Sequence, residues 1–268
     1  MIGTANAPSA GQAGSHAAYF AFRNRLLGEL RTTVLTGEQL CEAGRLIYGR
    51  PESLALYGIT APDMEAAGIR LLGRTTIECC VDEYAASVAD ALAGLHAALP
   101  PAEPGGQPLL MDLFCGSGNF SHHLAARLGV AAYAAELDPD VHAATEHNLV
   151  RTASRTRLHL GDYRDLLGKH PARGPRDTYF VEPPWGPAFT PAGLDLTRTS
   201  PPVPEILDDI RRSREGVPCL VAIKTNDQIA HDSLARSFTD ARHLRSITPQ
   251  PTLPHGANMD FHLYELTG

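Results

Sequence analysis

Residues 112–120, with the sequence DLFCGSGNF, could form a nucleotide-binding loop. An apolar run at 109–114 leads into Gly116 and Gly118, and a helical pattern follows them. Glycine permits positive φ angles and a close approach of a ligand to the backbone, while a helix N-terminus offers free N–H groups. The third glycine of the dinucleotide pattern G-x-G-x-x-G is absent, because position 121 is Ser. Taken alone, the segment predicts either a ligand-binding loop or a plain turn of an α/β core.

Two further acidic residues stand where predicted strands end. Glu136 lies near the end of a strand predicted at 130–137, and a carboxylate there can accept hydrogen bonds from both hydroxyls of a ribose. Asp162 ends a strand predicted at 156–162, where it could accept a hydrogen bond from an adenine amine, and Tyr163 could stack on the ring. A solvated acid and an ordinary turn are the alternatives. The combination with the glycine loop favours a nucleotide site.

The sequence EPPWG at 182–186 follows a fourth predicted strand, 177–184. Ligands of open α/β sheets bind outside the carboxyl ends of the strands. Glu182, the rigid Pro183–Pro184 pair and Trp185 would together form a slot lined by hydrogen-bond acceptors, which suits an amine. Trp185 is the single tryptophan, and packing in a core or loop is its alternative role.

The elements that must position these residues alternate between strand and helix. Strands are predicted at 109–114, 130–137, 156–162, 177–184, 217–225, 242–249 and 259–266, and helices at 116–129, 139–150, 203–214 and 227–238. Repeated β-α units imply a mostly parallel sheet with helices on both faces.

The N-terminal third has a different pattern. Residues 1–16 are rich in Gly, Ala and Ser and predict a disordered lead-in, and residues 17–80 predict a helical cap. An apolar stripe that includes Tyr84 predicts a helix at 81–99, and 100–107 has the composition of a linker. The domain that holds the motifs is therefore predicted over 81–268. Tyr84 is a candidate for the pocket wall, with core packing as its alternative.

Composition limits the classes of partner and compartment. The net charge of −7 argues against a protein that grips nucleic acid over a broad basic face. Five cysteines without metal-ligand spacing indicate reduced thiols in a cytoplasmic protein. No signal peptide is evident, and no apolar run approaches the roughly 18 residues of a membrane span. His122 and His123 are neighbours on a predicted helix and do not face one site, so no metal is expected.

As a set, the four motifs resemble the class I S-adenosylmethionine-dependent methyltransferases, over about residues 80–266. DLFCGSGN is similar to the Gly-rich motif I of that class, and EPPWG to the (Asp/Asn/Ser)-Pro-Pro-(Tyr/Phe/Trp) motif IV of its amino-group methyltransferases. Within the class, FCGSGN together with PPWG most resembles the trimethylguanosine-synthase-like RNA enzymes. The resemblance implies an α/β, Rossmann-like fold with seven strands, the last one reversed, and S-adenosyl-L-methionine as cofactor.

The resemblance also implies roles for individual residues. Glu182, Pro183 and Trp185 would be catalytic, and Glu182, Pro184, Trp185 and Tyr84 would contact the substrate. The cofactor would be bound by Asp112, Phe114, Cys115, Gly116, Gly118, Asn119, Phe120, Glu136, Leu137, Asp162 and Tyr163. Motif IV begins here with Glu182 instead of Asn, Asp or Ser. The carboxylate that would accept a hydrogen bond from the amine is therefore about one methylene further from the backbone.

Three enzymatic functions fit these motifs. N-methylation of a small-molecule amine is the prediction, favoured by the acidic composition and the N-terminal cap. Methylation of an RNA base amine is the second, although phosphate binding would need cations and the arginines at 151, 155, 157, 164, 173 and 176 are predicted to form a solvated face. The third uses the same donor without methyl transfer, by cyclisation to azetidine-2-carboxylate or by lysis, with release of methylthioadenosine. A donor-binding subunit without activity is the non-enzymatic alternative, and the oligomeric state stays open.

Overall fold

A seven-stranded sheet is the centre of the computed structural model, which describes residues 10–101, 106–230, 232–251, 253–254 and 258–267. Its strands are β1 (Leu110–Asp112), β2 (Ala132–Glu136), β3 (Thr156–Leu160), β4 (Thr178–Val181), β5 (Cys219–Asn226), β6 (Ala241–Ile247) and β7 (Met259–Leu266). They lie in the order β6-β7-β5-β4-β1-β2-β3, and β7 runs antiparallel to both of its neighbours while the other strands are parallel. The predicted α/β, Rossmann-like fold, with seven strands and the last one reversed, is confirmed.

The order of the strands creates a crevice at the carboxyl ends of β1 and β4. From β1 the chain adds β2 and β3 on one side and then returns to add β4 and β5 on the other side. In sheets of this kind ligands bind at the point where the strand order reverses. The ends of β1 and β4, which carry the glycine loop and EPPWG, meet at that point.

Helices follow most of the strands, mainly as predicted. They are α6 (Asn119–Leu128) after β1, α7 (Pro139–Arg151) after β2, α8 (Tyr163–Lys169) after β3, α9 (Val203–Arg214) after β4 and α10 (Ser233–Ser237) after β5. Helix α10 is shorter than the predicted 227–238. Helix α8 and a small hairpin, Phe189–Thr190 with Gly193–Leu194, were not predicted.

The N-terminal region is helical, as predicted, and contains a small hairpin. Its elements are α1 (Ala10–Leu27), α2 (Gly37–Tyr48), the two-residue strands Ala55–Leu56 and Ile59–Thr60, α3 (Ala61–Met64) and α4 (Gly73–Glu78); α5 (Asp82–Ala98) follows. Residues 1–9 of the predicted lead-in lie outside the described residues. Residues 10–16 belong to α1, so the first helix begins before the predicted end of the lead-in at residue 16.

The two faces of the sheet pack against different parts of the chain. One face contributes Phe180, Ala222 and Phe261 to a hydrophobic core that also contains residues of α1 to α6. The opposite face contributes Val181 and Ile223 to a second core with α8 and α9. We call the first face the cap face, since the N-terminal region covers it.

Candidate active site

Three acidic side chains lie on the cap face at the carboxyl ends of three strands. Asp112 pairs in register with Ala134 of β2 and with Phe180 of β4, which belongs to the core of the cap face. Side chains alternate between faces along a strand, so residues two positions apart share a face. Glu136 is two residues after Ala134, and Glu182 is two residues after Phe180. Asp112, Glu136 and Glu182 therefore converge on the crevice.

The glycine loop is held from one side and open on the other. Gly116 and Gly118 have φ angles of 49° and 70°, which favour glycine. A Cβ atom on Gly118 would lie 2.9 Å from Thr145 Cγ2, whereas a Cβ atom on Gly116 would meet nothing within 4 Å. The Thr145 hydroxyl donates to the Gly116 carbonyl at 2.6 Å. Helix α7 thus fixes the loop and leaves space above Gly116 for a ligand.

Glu136 is oriented by backbone donors. Its Oε2 accepts from the Gly116 amide at 3.1 Å, and its Oε1 accepts from the Asp138 amide at 2.8 Å. Burial raises the pKa of this carboxyl, and these backbone donors oppose the shift. Each oxygen keeps a lone pair, so the group can still accept from two ribose hydroxyls. The adjacent Leu137 is 70% exposed and offers an apolar surface to a planar ring.

Asp112 is the most unusual group in the crevice. Its side chain is 2% exposed, and neither carboxylate oxygen has a hydrogen-bond partner among the described residues. Burial raises its pKa to about 8, and the charge of Glu182 adds to the shift, while the nearby Phe114 amide and Ser121 hydroxyl oppose it without reaching the geometry of a hydrogen bond. A buried polar group without partners is costly. The site therefore fits a ligand that brings N–H donors or positive charge to Asp112.

Glu182 forms an ion pair with a residue that the motifs did not identify. Lys224 of β5 places its Nζ 2.5 Å from Glu182 Oε1 and 3.0 Å from the carbonyl oxygen of Glu78. Burial raises the pKa of Glu182, and Lys224 opposes the shift. Burial alone would lower the pKa of Lys224, but the Glu182 carboxylate outweighs it and the net shift is upward. In the sequence, the signal for this residue is the presence of a lysine within the apolar run VPCLVAIKT.

The remaining residues of EPPWG lie between the crevice and the second core. Pro183 is buried and Pro184 is exposed. The Trp185 ring is half-buried against the core of the opposite face, and its indole N–H has no partner among the described residues. The Trp185 carbonyl accepts from the Ala188 amide at 2.7 Å, which begins a short 3₁₀ turn. Trp185 therefore packs against the second core and keeps one donor unsatisfied among the described residues.

Other predicted site residues make contacts within the protein. The Asn119 side chain accepts from the Tyr57 amide at 2.7 Å and donates to the Cys80 carbonyl at 2.8 Å and to Asp82 at 3.0 Å. Its polar atoms thus join α6 to the cap and are not free to hold the methionine part of a donor. Phe120 stacks on Phe180 in the core, with ring centroids 3.7 Å apart.

Tyr84 and Cys115 are also packing residues. Tyr84 is 1% exposed, and its hydroxyl donates to the Pro251 carbonyl at 2.6 Å. Its ring lies edge-on to Phe261, with centroids 6.3 Å apart, so it stands in the core and does not line the crevice. The Cys115 side chain is buried, and its amide donates to the Ala135 carbonyl.

Asp162 and Tyr163 lie at the start of α8, the helix that was not predicted. The Asp162 carboxylate caps this helix by accepting from the Arg164 amide at 2.8 Å, and its other lone pairs remain available. The Tyr163 hydroxyl donates to Asp209 at 2.5 Å. The Tyr163 ring is buried against Phe114, so it does not present a face to an adenine.

The arginine group named above is occupied by contacts within the chain. Arg164 pairs with Asp162, Glu205 and Asp209. The others bond backbone carbonyls or lie over Tyr133: Arg151 bonds Ala67, Arg155 bonds Gly129, Arg176 bonds Leu99, and Arg157 and Arg173 lie over the ring. This group is therefore a set of structural contacts, and we find no phosphate-binding array in it.

Within residues 10–101, 106–230, 232–251, 253–254 and 258–267, no three His, Cys, Asp or Glu side chains converge as a set of metal ligands. None of the helices described there has the length and apolar character needed to cross a membrane.

Comparisons with known proteins give distant structural likenesses. Neither a protein-family model nor a curated protein sequence matches this chain. A solved precorrin-6y C5,15-methyltransferase from Geobacter metallireducens is 14% identical, with a TM-score of 0.43, over 68% of this chain and 87% of that one. A precorrin 8w decarboxylase from Methanobacterium thermoautotrophicum is 21% identical, with a TM-score of 0.40, over 67% of this chain and 89% of that one.

Proposed function

We propose that this chain is an S-adenosylmethionine-dependent methyltransferase that methylates the nitrogen of a small-molecule amine. The observation that carries the proposal is the convergence of Asp112, Glu136 and Glu182 beside the open glycine turn. Carboxylates from three strands in one partly buried crevice favour a ligand that combines hydroxyl and amine donors with a positive charge.

The residues present fit the donor. Asp112 and the amides around Gly116 would hold its methionine part, because the buried Asp112 has no hydrogen-bond partner among the described residues and the space above Gly116 is open. Glu136 would accept from the ribose hydroxyls. Asp162 would accept from the adenine amine, with Leu137 against the ring. When bound, S-adenosylmethionine supplies an electrophilic methyl carbon on a positively charged sulfur.

The chain's own task in this reaction is alignment and proton removal. Holding two reactants in line converts an encounter into a step within one complex. Glu182 and the Pro183 carbonyl would accept hydrogen bonds from the N–H groups of the amine. These bonds would orient the nitrogen lone pair. The Glu182 carboxylate would then take the proton that the amine loses. The half-buried Trp185 would exclude water from one side.

A small molecule is a better acceptor than RNA for this surface. Binding to RNA rests largely on cations that neutralise phosphates. The net charge is −7, and the six arginines described above are engaged within the chain. These contacts support the first of the three functions over the second.

Cyclisation or lysis of the donor is a second candidate, and the position of Glu182 favours it. This carboxylate is 18% exposed, is covered by Lys224 and the end of α4, and is close enough to Asp112 to raise its pKa. A base at this depth would lie beside the donor's own amine. In cyclisation that nitrogen forms a bond to the γ-carbon, the carbon–sulfur bond breaks, methylthioadenosine leaves, and Glu182 takes the proton.

Product analysis separates these functions. The purified protein is incubated with S-adenosylmethionine alone, with a panel of small amines, and with total RNA, and the sulfur-containing products are separated by chromatography. S-adenosylhomocysteine that forms with a small amine alone supports the proposal. Dependence on RNA, or methylthioadenosine without any acceptor, would replace it with one of the alternatives. Donor binding without turnover would indicate a binding subunit, and no donor binding by calorimetry would refute all four.

A further inference from the structure

Lys224 is a buried cation that follows the apolar residues of strand β5. Every residue of β5 is buried, and the Lys224 side chain is 4% exposed. The chain has just two lysines, and the other, Lys169, ends the exposed side of α8. An ammonium group is rarely buried unless it is paired. The pair with Glu182 therefore needs an explanation beyond packing.

The groups around Glu182 are acidic or neutral, except for Lys224. From β1, Asp112 faces it, and from α4 the Glu78 carboxylate adds negative charge. The Cys79 and Cys80 thiols lie next to Lys224, and burial raises the pKa of both, which keeps them protonated. Among the described groups that influence the Glu182 carboxylate, Lys224 is thus the cation that holds it ionised.

The same ammonium also contacts the cap. Its hydrogen bond to the Glu78 carbonyl satisfies the last residue of α4, where helix carbonyls lack partners within the helix. Cations are favoured at this end of a helix. One side chain thus joins β5, the acid at the end of β4 and the cap.

We propose that Lys224 is a positioning residue: it holds the Glu182 carboxylate in its ionised form and fixes it to the carboxyl end of α4. The significance for catalysis rests on the proposed function, in which Glu182 accepts a proton. The contact itself does not depend on that function, so the two can fail separately.

The direct test is a carboxyl titration that requires no substrate. The full-length protein is labelled with ¹³C at the glutamate side-chain carboxyl groups, and the Glu182 signal is assigned with Glu182→Gln. In Lys224→Met we expect the titration midpoint of Glu182 to rise by about 1–3 pH units, since an opposite charge in contact lowers a carboxyl pKa by that amount. Lys224→Arg should keep most of the wild-type midpoint. Lys169→Met, the matched loss of a lysine, should leave it unchanged.

A second measurement tests the link to the cap. In Lys224→Met, amide hydrogen exchange at Thr76 and Cys79 should be faster by about tenfold or more, while amides in the middle of α5 should not change. An unchanged Glu182 midpoint, or unchanged exchange in α4, would overturn the proposal. Calorimetric binding of S-adenosylhomocysteine is measured on the same samples. Its absence would refute the proposed function and leave the titration result standing.

A folding defect in Lys224→Met would not remove the test. Removing one member of a buried ion pair leaves the other uncompensated, whereas removing both does not. The double variant Glu182→Gln/Lys224→Met should therefore melt at a higher temperature than Lys224→Met alone. If the double variant melts at a lower temperature, the pair is not coupled and the proposal is wrong.

Discussion

At the scale of single residues, the crevice is built from groups whose surroundings are unfavourable without a ligand. Within the part of the chain that the structure describes, neither the buried Asp112 carboxylate nor the Trp185 indole N–H has a hydrogen-bond partner. Such groups lower stability in the free protein, and a ligand that satisfies them is one reason for their retention. The motif residues could be found from sequence because their types and order are distinctive. Lys224 has a weaker signal, a lysine within an apolar run, and its pairing with Glu182 is a contact between β5 and β4 that spacing along the chain does not reveal.

We expect Asp112→Asn to stabilise the protein and to weaken donor binding. The folded chain keeps the Asp112 proton up to about pH 8, whereas the unfolded chain loses it near pH 4. The free energy of unfolding therefore falls as the pH rises from about 4 to about 8 and is constant above this range, as far as Asp112 contributes. The variant should be more stable than the wild type by about 2–5 kcal/mol at pH 8, and the difference should vanish near pH 4.

Urea denaturation at pH 4, 6 and 8 measures the stability difference, and calorimetry with S-adenosylhomocysteine measures binding. Asp240→Asn, at an exposed position, serves as the control and should change neither. Equal stability of Asp112→Asn and wild type at pH 8 would contradict the unfavourable burial of this carboxyl.

Glu182→Gln should reduce turnover without preventing donor binding. The amide keeps the shape of the side chain but cannot accept a proton, so we expect a loss of about 100-fold or more in kcat. The dissociation constant of the donor should change by less than about threefold, because Glu182 is assigned to the amine. The variant is compared with wild type in the product assay that detects activity. Unchanged kcat would show that Glu182 is not the base.

At the scale of elements, the strands and long helices could be predicted because each has a strong pattern. The apolar runs of β1, β4 and β5 and the period-two pattern of β7 mark buried strands. Helix α8 was missed because it has seven residues, too few to show a repeat, and its N-cap residue Asp162 resembled a ligand-binding turn.

The hairpin of the N-terminal cap was missed because its strands have two residues each. Its tip residue Tyr57 has a φ angle of 57°, and its hydroxyl bonds the Ser117 carbonyl in the glycine loop.

The Asn119 side chain connects this hairpin to α6, so we expect its removal to lower the stability of the protein. Asn119→Ala would leave the Tyr57 amide and the Cys80 carbonyl without their partner in a buried region. Since each unsatisfied buried group costs about 1–3 kcal/mol, we expect a loss of roughly 2–4 kcal/mol in stability. Urea denaturation measures it, with Asn24→Ala on the exposed side of α1 as the control. A loss below about 0.5 kcal/mol would mean that α6 and the cap are joined by other contacts.

At the scale of the whole molecule, the net charge and the contacts of the arginine side chains bear on whether the proposed acceptor is a small molecule or RNA. The net charge is −7, and the arginines closest to a phosphate-binding pattern are held by carboxylates, carbonyls or the Tyr133 ring. Charge could be read from the sequence, whereas the pairing of Arg164 with Glu205 and Asp209 depends on how α8 packs beside α9.

We expect the protein to bind RNA weakly. Fluorescence anisotropy with a labelled structured RNA at 150 mM salt should give a dissociation constant of about 10 µM or weaker, in the range of non-specific contacts. Titrations at lower salt test whether phosphate contacts contribute. Submicromolar binding with a steep dependence on salt would contradict the assignment of these arginines and favour the RNA alternative.

The core shared by the N-terminal region and the cap face has a consequence for engineering. Leu40 and Met64 of the cap are fully buried in the same hydrophobic cluster as Phe180 and Phe261 of the sheet. A chimera that exchanged residues 17–80 for the corresponding region of another protein of this fold would have to rebuild both sides of that cluster at once. New specificity is more accessible through the segment between β4 and α9, where the exposed Phe189 hairpin can vary without disturbing the cluster.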